Sequence, residues 1–169
     1  ERYQTPTVDT ETVQRLFIQA YNRMMENREQ IIKDCETMRR ALTDFAELDA
    51  EIERQLEETQ VVAELVKAAV KENASTAQSQ EAYLKKYEAL AGRYEKAVAE
   101  LKRLQNLRTT QSQKDKEMAL YIRTLKKQPV VLREWDNTIW TVMIEKAIVH
   151  RDGAITFVFY NGTEIKVGE

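Results

Sequence analysis

The sequence predicts a mainly α fold: a long antiparallel coiled-coil hairpin projecting from a small α+β body, with a three-stranded β-meander at the C-terminus. Three observations predict it. The 169 residues contain only 4 Gly and 2 Pro, too few to build a loop-rich sandwich or barrel. Two apolar stripes with alternating steps of four and three residues flank a short polar run. Near the end of the chain the apolar period changes from helical to two.

The first helix begins after Pro6, with Asp9 positioned as its N-cap. Val13, Leu16, Phe17, Ala20, Tyr21, Met24 and Met25 form its apolar face, and Ile31, Ile32, Cys35 and Met38 resume the pattern beyond Asn27. This predicts one long helix or two with a bend at Asn27. Thr43-Asp44 is expected to cap the next helix, with Glu47 three residues beyond Asp44. Its stripe is Leu48, Ile52, Gln55, Thr59, Val62, Val66, Ala69 and Asn73; the returning stripe is Tyr83, Tyr87, Leu90, Tyr94, Ala97, Leu101 and Leu104. A polar turn at 73–78 makes the two arms antiparallel, each of about 27 residues and roughly 40 Å long. The seam weakens over Arg108 to Gln113, and a further helical stretch carrying Met118, Tyr121, Ile122 and Leu125 must stop at Pro129. Asp136 caps a short helix that buries Ile139, Trp140, Met143 and Ile144. Ala147, Val149, Ile155, Phe157 and Phe159 then alternate as strands, with turns at Asp152-Gly153 and Asn161-Gly162. Three such strands are marginal alone, so they are expected to pack on the Trp140 helix or the Phe17 helix. The domains read as a helical part of the body over 1–43, the hairpin over 44–108, and a return helix, short helix and meander over 109–169.

Composition narrows the chemistry. A net charge of -2 rules out wholesale nucleic-acid or membrane binding through bulk charge. No stretch approaches the roughly 20 apolar residues of a membrane span, so no membrane partner is expected. One cysteine and one histidine, Cys35 and His150, cannot supply a disulfide framework, a multi-cysteine zinc site or a nucleophile with its orienting partners. They read as a core thiol and a strand histidine. No Gly-rich phosphate loop exists, and carboxylates such as Glu57 and Glu58 lie on an exposed helical face. The sequence therefore shows no active site, and no cofactor is expected in this segment. The single cysteine fits a reducing cytoplasm.

Charge is unevenly distributed. Residues 44–73 carry nine acids and three bases, a net of -6, whereas 101–133 carry nine bases and two acids, a net of +7. Either the two arms complement each other where they meet, or the basic strip faces phosphate. Lys126, Lys127 and Arg133 stand beside Pro129, where cations supply charge without a groove-inserting element, and are the candidate phosphate contacts of that strip. Near the tip, Val66, Val70, Tyr83 and Leu84 exceed what one thin hairpin can bury and are the candidate contact with another helix pair.

Specific residues resemble a known family. Pro6-Thr7, the helix with Phe17, Ala20, Tyr21, Asn22 and Asn27-Arg28, then Ile31-Ile32, open the match. Leu132 to Trp140, Val142 to Lys146, His150-Arg151-Asp152-Gly153, Phe157, Phe159 and Asn161-Gly162-Thr163-Glu164-Ile165 close it. Together they are similar to the C-terminal region of large serine recombinases, the integrases of phages and mobile elements, over the whole chain. The resemblance implies a remainder of a zinc-ribbon domain with an inserted coiled coil, excised from a larger protein. The zinc-binding cysteine pairs would precede Glu1, and the nucleophilic serine and its arginines would lie in an absent catalytic domain, so no catalytic residue carries over. It further implies that Asn73 to Gln78 forms the hairpin tip, where subunits on different DNA sites meet for DNA recombination and integration. The Trp140 helix and terminal strands would complete a DNA-binding body. Expected partners are DNA through the parent protein, other recombinase subunits through the coiled coil, and a directionality factor. A second reading is a free-standing helical-hairpin interaction module unrelated to DNA.

Overall fold

The computed structural model describes residues 6–77 and 79–168. The fold is mainly helical: α1 (Thr10–Met25), α2 (Arg28–Thr43), α3 (Ala46–Ser75), α4 (Gln80–Lys127), α5 (Asn137–Met143), then β1 (Ile144–Val149), β2 (Ile155–Phe159) and β3 (Glu164–Val167). The strands form an antiparallel sheet in the order β1-β2-β3. The chain divides into two compact units, one from Leu42 to Lys114 and the other from the stretches up to Ala41 and from Asp115 onward.

The second of these is the body. Asp9 caps α1 as its position predicts, its carboxylate accepting from the Thr12 N–H at 2.8 Å. That hydrogen bond holds the Asp9 carboxyl below its ordinary range. The predicted stripe is the buried face of α1: Leu16, Phe17, Ala20, Tyr21, Met24 and Met25. The chain bends after Met25 and resumes as α2, whose Cys35 is buried in the same core. Phe17 sits at the centre, its ring 6.0 Å from Tyr21, 5.5 Å from Trp135, 5.1 Å from Trp140 and 6.0 Å from Phe157. Edge-on packing of this kind adds to the area each ring buries. The sheet therefore packs on both helices proposed for it, since Trp140 also meets Phe157 at 6.1 Å. Gly153 and Gly162 make the two hairpin turns at φ near +87°, where a side chain would be strained.

The other unit is the helical hairpin. Every residue of the α3 stripe from Leu48 to Asn73 is buried or half-buried, with Val62 and Ala69 deepest, and Ala97 and Leu104 are their buried counterparts on α4. The four-three spacing is thus the seam.

Three local expectations are corrected. Phe45, not Asp44, precedes the first turn of α3, and it makes no side-chain cap; its ring instead lies under the Arg108 guanidinium at 4.3 Å. Asn73, Ala74 and Ser75 remain helical, because nothing in that run breaks a helix, so the connection begins at Thr76; Gln78, the last residue of the expected tip, lies outside the described residues. The weak seam at Arg108 to Gln113 does not interrupt the helix either. With no Gly or Pro there, α4 runs unbroken over 48 residues and ends at Lys127, ahead of Pro129.

Candidate functional site

Within the body, the stretch after α4 is held by side chains of α1. Tyr21 donates its hydroxyl to the Pro129 carbonyl at 2.6 Å. Asn22 holds Leu132 at both ends of its peptide, donating from Nδ2 to the carbonyl at 2.9 Å and accepting the N–H at 2.7 Å. Burial pushes the Tyr21 phenol up to about 12. Between these clamps Val130 and Val131 are 51% and 58% exposed.

The three candidate DNA contacts border this loop, and all three are exposed. Lys126 lies 3.9 Å from Glu36, a loose ion pair. Lys127 and Arg133 have no hydrogen-bond or ion-pair partner among the described residues. Elsewhere in the basic stretch, Arg108 is committed to Asp49 at 2.6 Å, and Asp115 accepts from Arg39 at 2.7 Å. Arg108 holds the Asp49 carboxyl low, and Arg93 does the same for Glu58 across the hairpin. So part of the charge asymmetry joins the two arms, and part of it stays open to solvent.

The four candidate intersubunit residues fall into two pairs. Val66 and Tyr83 are half-buried in the seam, whereas Val70 and Leu84 are 47% and 53% exposed. Their positions belong to a pattern that the seam had concealed. Leu84, Tyr87, Ala91, Tyr94 and Val98 step by three and four, and so do Leu56, Thr59, Ala63, Val66 and Val70. Each row shares two members with the seam and adds the residue that follows a seam position. The same rotational offset on two antiparallel helices puts both rows on one face of the hairpin. The opposite edge is charged. Glu58, Arg93, Glu72 and Lys86 each precede a seam residue; Glu58 bonds Arg93, and Lys86 reaches Glu72 at 3.2 Å. Tyr87 and Tyr94, read from the sequence as seam positions, are instead exposed, and with Val98, which that reading omitted, they lie at the surface. Their signal was present as a second heptad shifted by one.

Among the described residues no cluster of three or more His, Cys, Asp and Glu side chains could hold a metal ion. His150 Nε2 is 2.7 Å from the Thr156 hydroxyl, and burial raises the Cys35 thiol. No described helix is long and apolar enough to cross a membrane. Comparison with known proteins returned no matching family model, curated protein or solved structure.

Proposed function

We propose that the chain is a non-catalytic C-terminal segment of a site-specific serine DNA recombinase, docking DNA beside the clamped loop and controlling synapsis of subunits through the hairpin. The observation that carries this reading is the second heptad row: core spacing displayed on a surface is the pattern a helix presents to another helix. Lys127 and Arg133, unpaired beside a loop that α1 holds in place, supply the phosphate contacts. The catalytic serine and the zinc-bearing ribbon belong to the parent protein upstream, and the reducing cytoplasm is the proposed compartment.

Synapsis needs only a weak contact. Once DNA holds two protomers close, tethering raises the effective concentration toward the millimolar range, so a small apolar patch suffices. Val70→Asp or Leu84→Asp in the parent recombinase should leave binding to one DNA site intact and abolish pairing of two sites in a mobility-shift assay. These positions are better probes than Val66 or Tyr83, whose half-buried side chains also hold the hairpin together. Normal two-site complexes from both variants at wild-type concentration would remove the hairpin from synapsis.

A further inference from the structure

A concave site lies elsewhere in the body. A groove of about 530 Å³ separates α1 from the sheet, lined on one side by Thr12, Arg15, Gln19 and Arg23 and on the other by Gly153, Lys166 and Gly168. Its wall includes three cationic residues and no acid. We propose that this groove binds the phosphate backbone of a nucleic-acid duplex. The proposal rests on the docking reading above and gives it a second contact that no basic run in the sequence announced.

Thr12, Arg15, Gln19 and Arg23 recur at steps of three, four and four, a polar row alongside the buried stripe. Arg15 has no hydrogen-bond or ion-pair partner among the described residues, though its charge reaches Asp9 and helps to lower that carboxyl. Arg23 spends one of its five donors on the Lys166 carbonyl at 3.1 Å, which fixes the guanidinium against β3 and leaves the others open. Lys166 is partly compensated, its ammonium lying 3.5 Å from Asp152. Gly153 and Gly168 leave bare backbone on the opposite wall, and at Gly168 a Cβ would come within 3.1 Å of Leu16. Bare backbone on one side and forked donors on the other suit phosphate oxygens.

Spacing selects a polymer over a single anion. Arg15 and Arg23 are eight residues apart, about 12 Å along the helix, too far for one phosphate to bridge. A nucleic-acid strand carries one charge per roughly 3.4 Å of axis, so phosphates a few steps apart on one strand can meet both guanidinium groups.

The test uses the whole chain, with fluorescence anisotropy of a labelled mixed-sequence duplex over a salt series. Arg15→Ala should lower affinity about tenfold near 0.1 M salt and reduce the slope of log K against log salt by about one. Gln19→Glu, which removes no side-chain hydrogen bond to the described residues and adds a carboxylate to the groove, should weaken binding at least as much with unchanged thermal unfolding. Wild-type affinity and slope in both variants would overturn the groove while leaving the docking reading standing. A wild-type chain that binds no duplex would overturn both. A parallel titration with inorganic phosphate separates the sources: saturable amide shifts over Thr12 to Arg23 with phosphate, and none with duplex, would assign the groove to a free anion and overturn the backbone proposal.

Discussion

Asn22 offers the sharpest test of how the loop after α4 is held. Truncation to Ala removes both of its bonds to Leu132, a residue only 7% exposed, and leaves a peptide N–H and a carbonyl without partners. An orphaned buried backbone group costs about 1–3 kcal/mol. Because the two bonds are only part-buried, the lower figure applies to each, giving about 2 kcal/mol for the pair. In a chain of this size that corresponds to a fall in Tm of roughly 4–8 °C. Tyr21→Phe is the internal comparison. It removes a single donor from the Pro129 carbonyl while keeping the buried ring, and should cost about 1 kcal/mol. Calorimetry gives both values, and hydrogen exchange at the Leu132 amide should accelerate in Asn22→Ala alone. A loss below about 0.5 kcal/mol, or one no larger than that of Tyr21→Phe, would refute the idea that Asn22 clamps the loop.

Other expectations follow from the same reasoning. Phe17→Ala removes the ring at the centre of the aromatic cluster and should cost about 3–5 kcal/mol by chemical denaturation; a cost under 2 would show that the neighbouring rings collapse into the space. Gly162→Ala should destabilise by about 1–2 kcal/mol, because its φ of +88° is left-handed, whereas Gly92→Ala within α4 should stabilise by about 0.5–1 kcal/mol; equal signs would contradict the backbone argument. Stability should be flat in pH between about 5 and 8 and decline on both sides. On the acid side, Asp9, Asp49, Glu58 and Asp152 have lowered folded values, so their contribution is present above the unfolded value and disappears as pH falls through the folded one. On the alkaline side, Cys35, Tyr21 and Tyr121 are raised by burial; the unfolded chain loses those protons first, and stability falls as pH rises. A Tm that climbs below pH 4 or above pH 10 would reverse that assignment.

Much of the architecture was legible because it rests on local spacing. The Asp9 and Asp136 caps, the stop at Pro129 and the turns at Gly153 and Gly162 each depend on a few neighbouring residues, and each occurs where the residues require it. The α3 start was not legible, since Asp44 is a better cap by type than Phe45. What differs is a contact 63 residues away, Arg108 stacked on the Phe45 ring, which no local rule contains. The second heptad row was readable but hidden behind the first, with which it shares Tyr87 and Tyr94. The groove between α1 and β3 was illegible for a different reason. Arg15, Arg23 and Lys166 come from opposite ends of the chain, so no basic run marks them, and only the packing of Leu16 and Val167 in one core brings them to one groove.

The body is closed by partners far apart in sequence: Tyr21 with Pro129, Asn22 with Leu132, and Arg23 with Lys166. During synthesis α1 therefore cannot complete its contacts until the last strand leaves the ribosome. The hairpin's seam residues all lie between Leu48 and Leu104, so it can form before the sheet is complete. Doing so shortens the flexible tether between the two halves of the body, because a folded hairpin replaces most of the intervening chain. Loop closure grows only logarithmically with tether length, about 0.6 kcal/mol per doubling, but a pre-folded insert avoids most of even that cost. Arms of different length can then be accommodated without repacking the aromatic core, so long as the stretches entering and leaving the hairpin stay side by side.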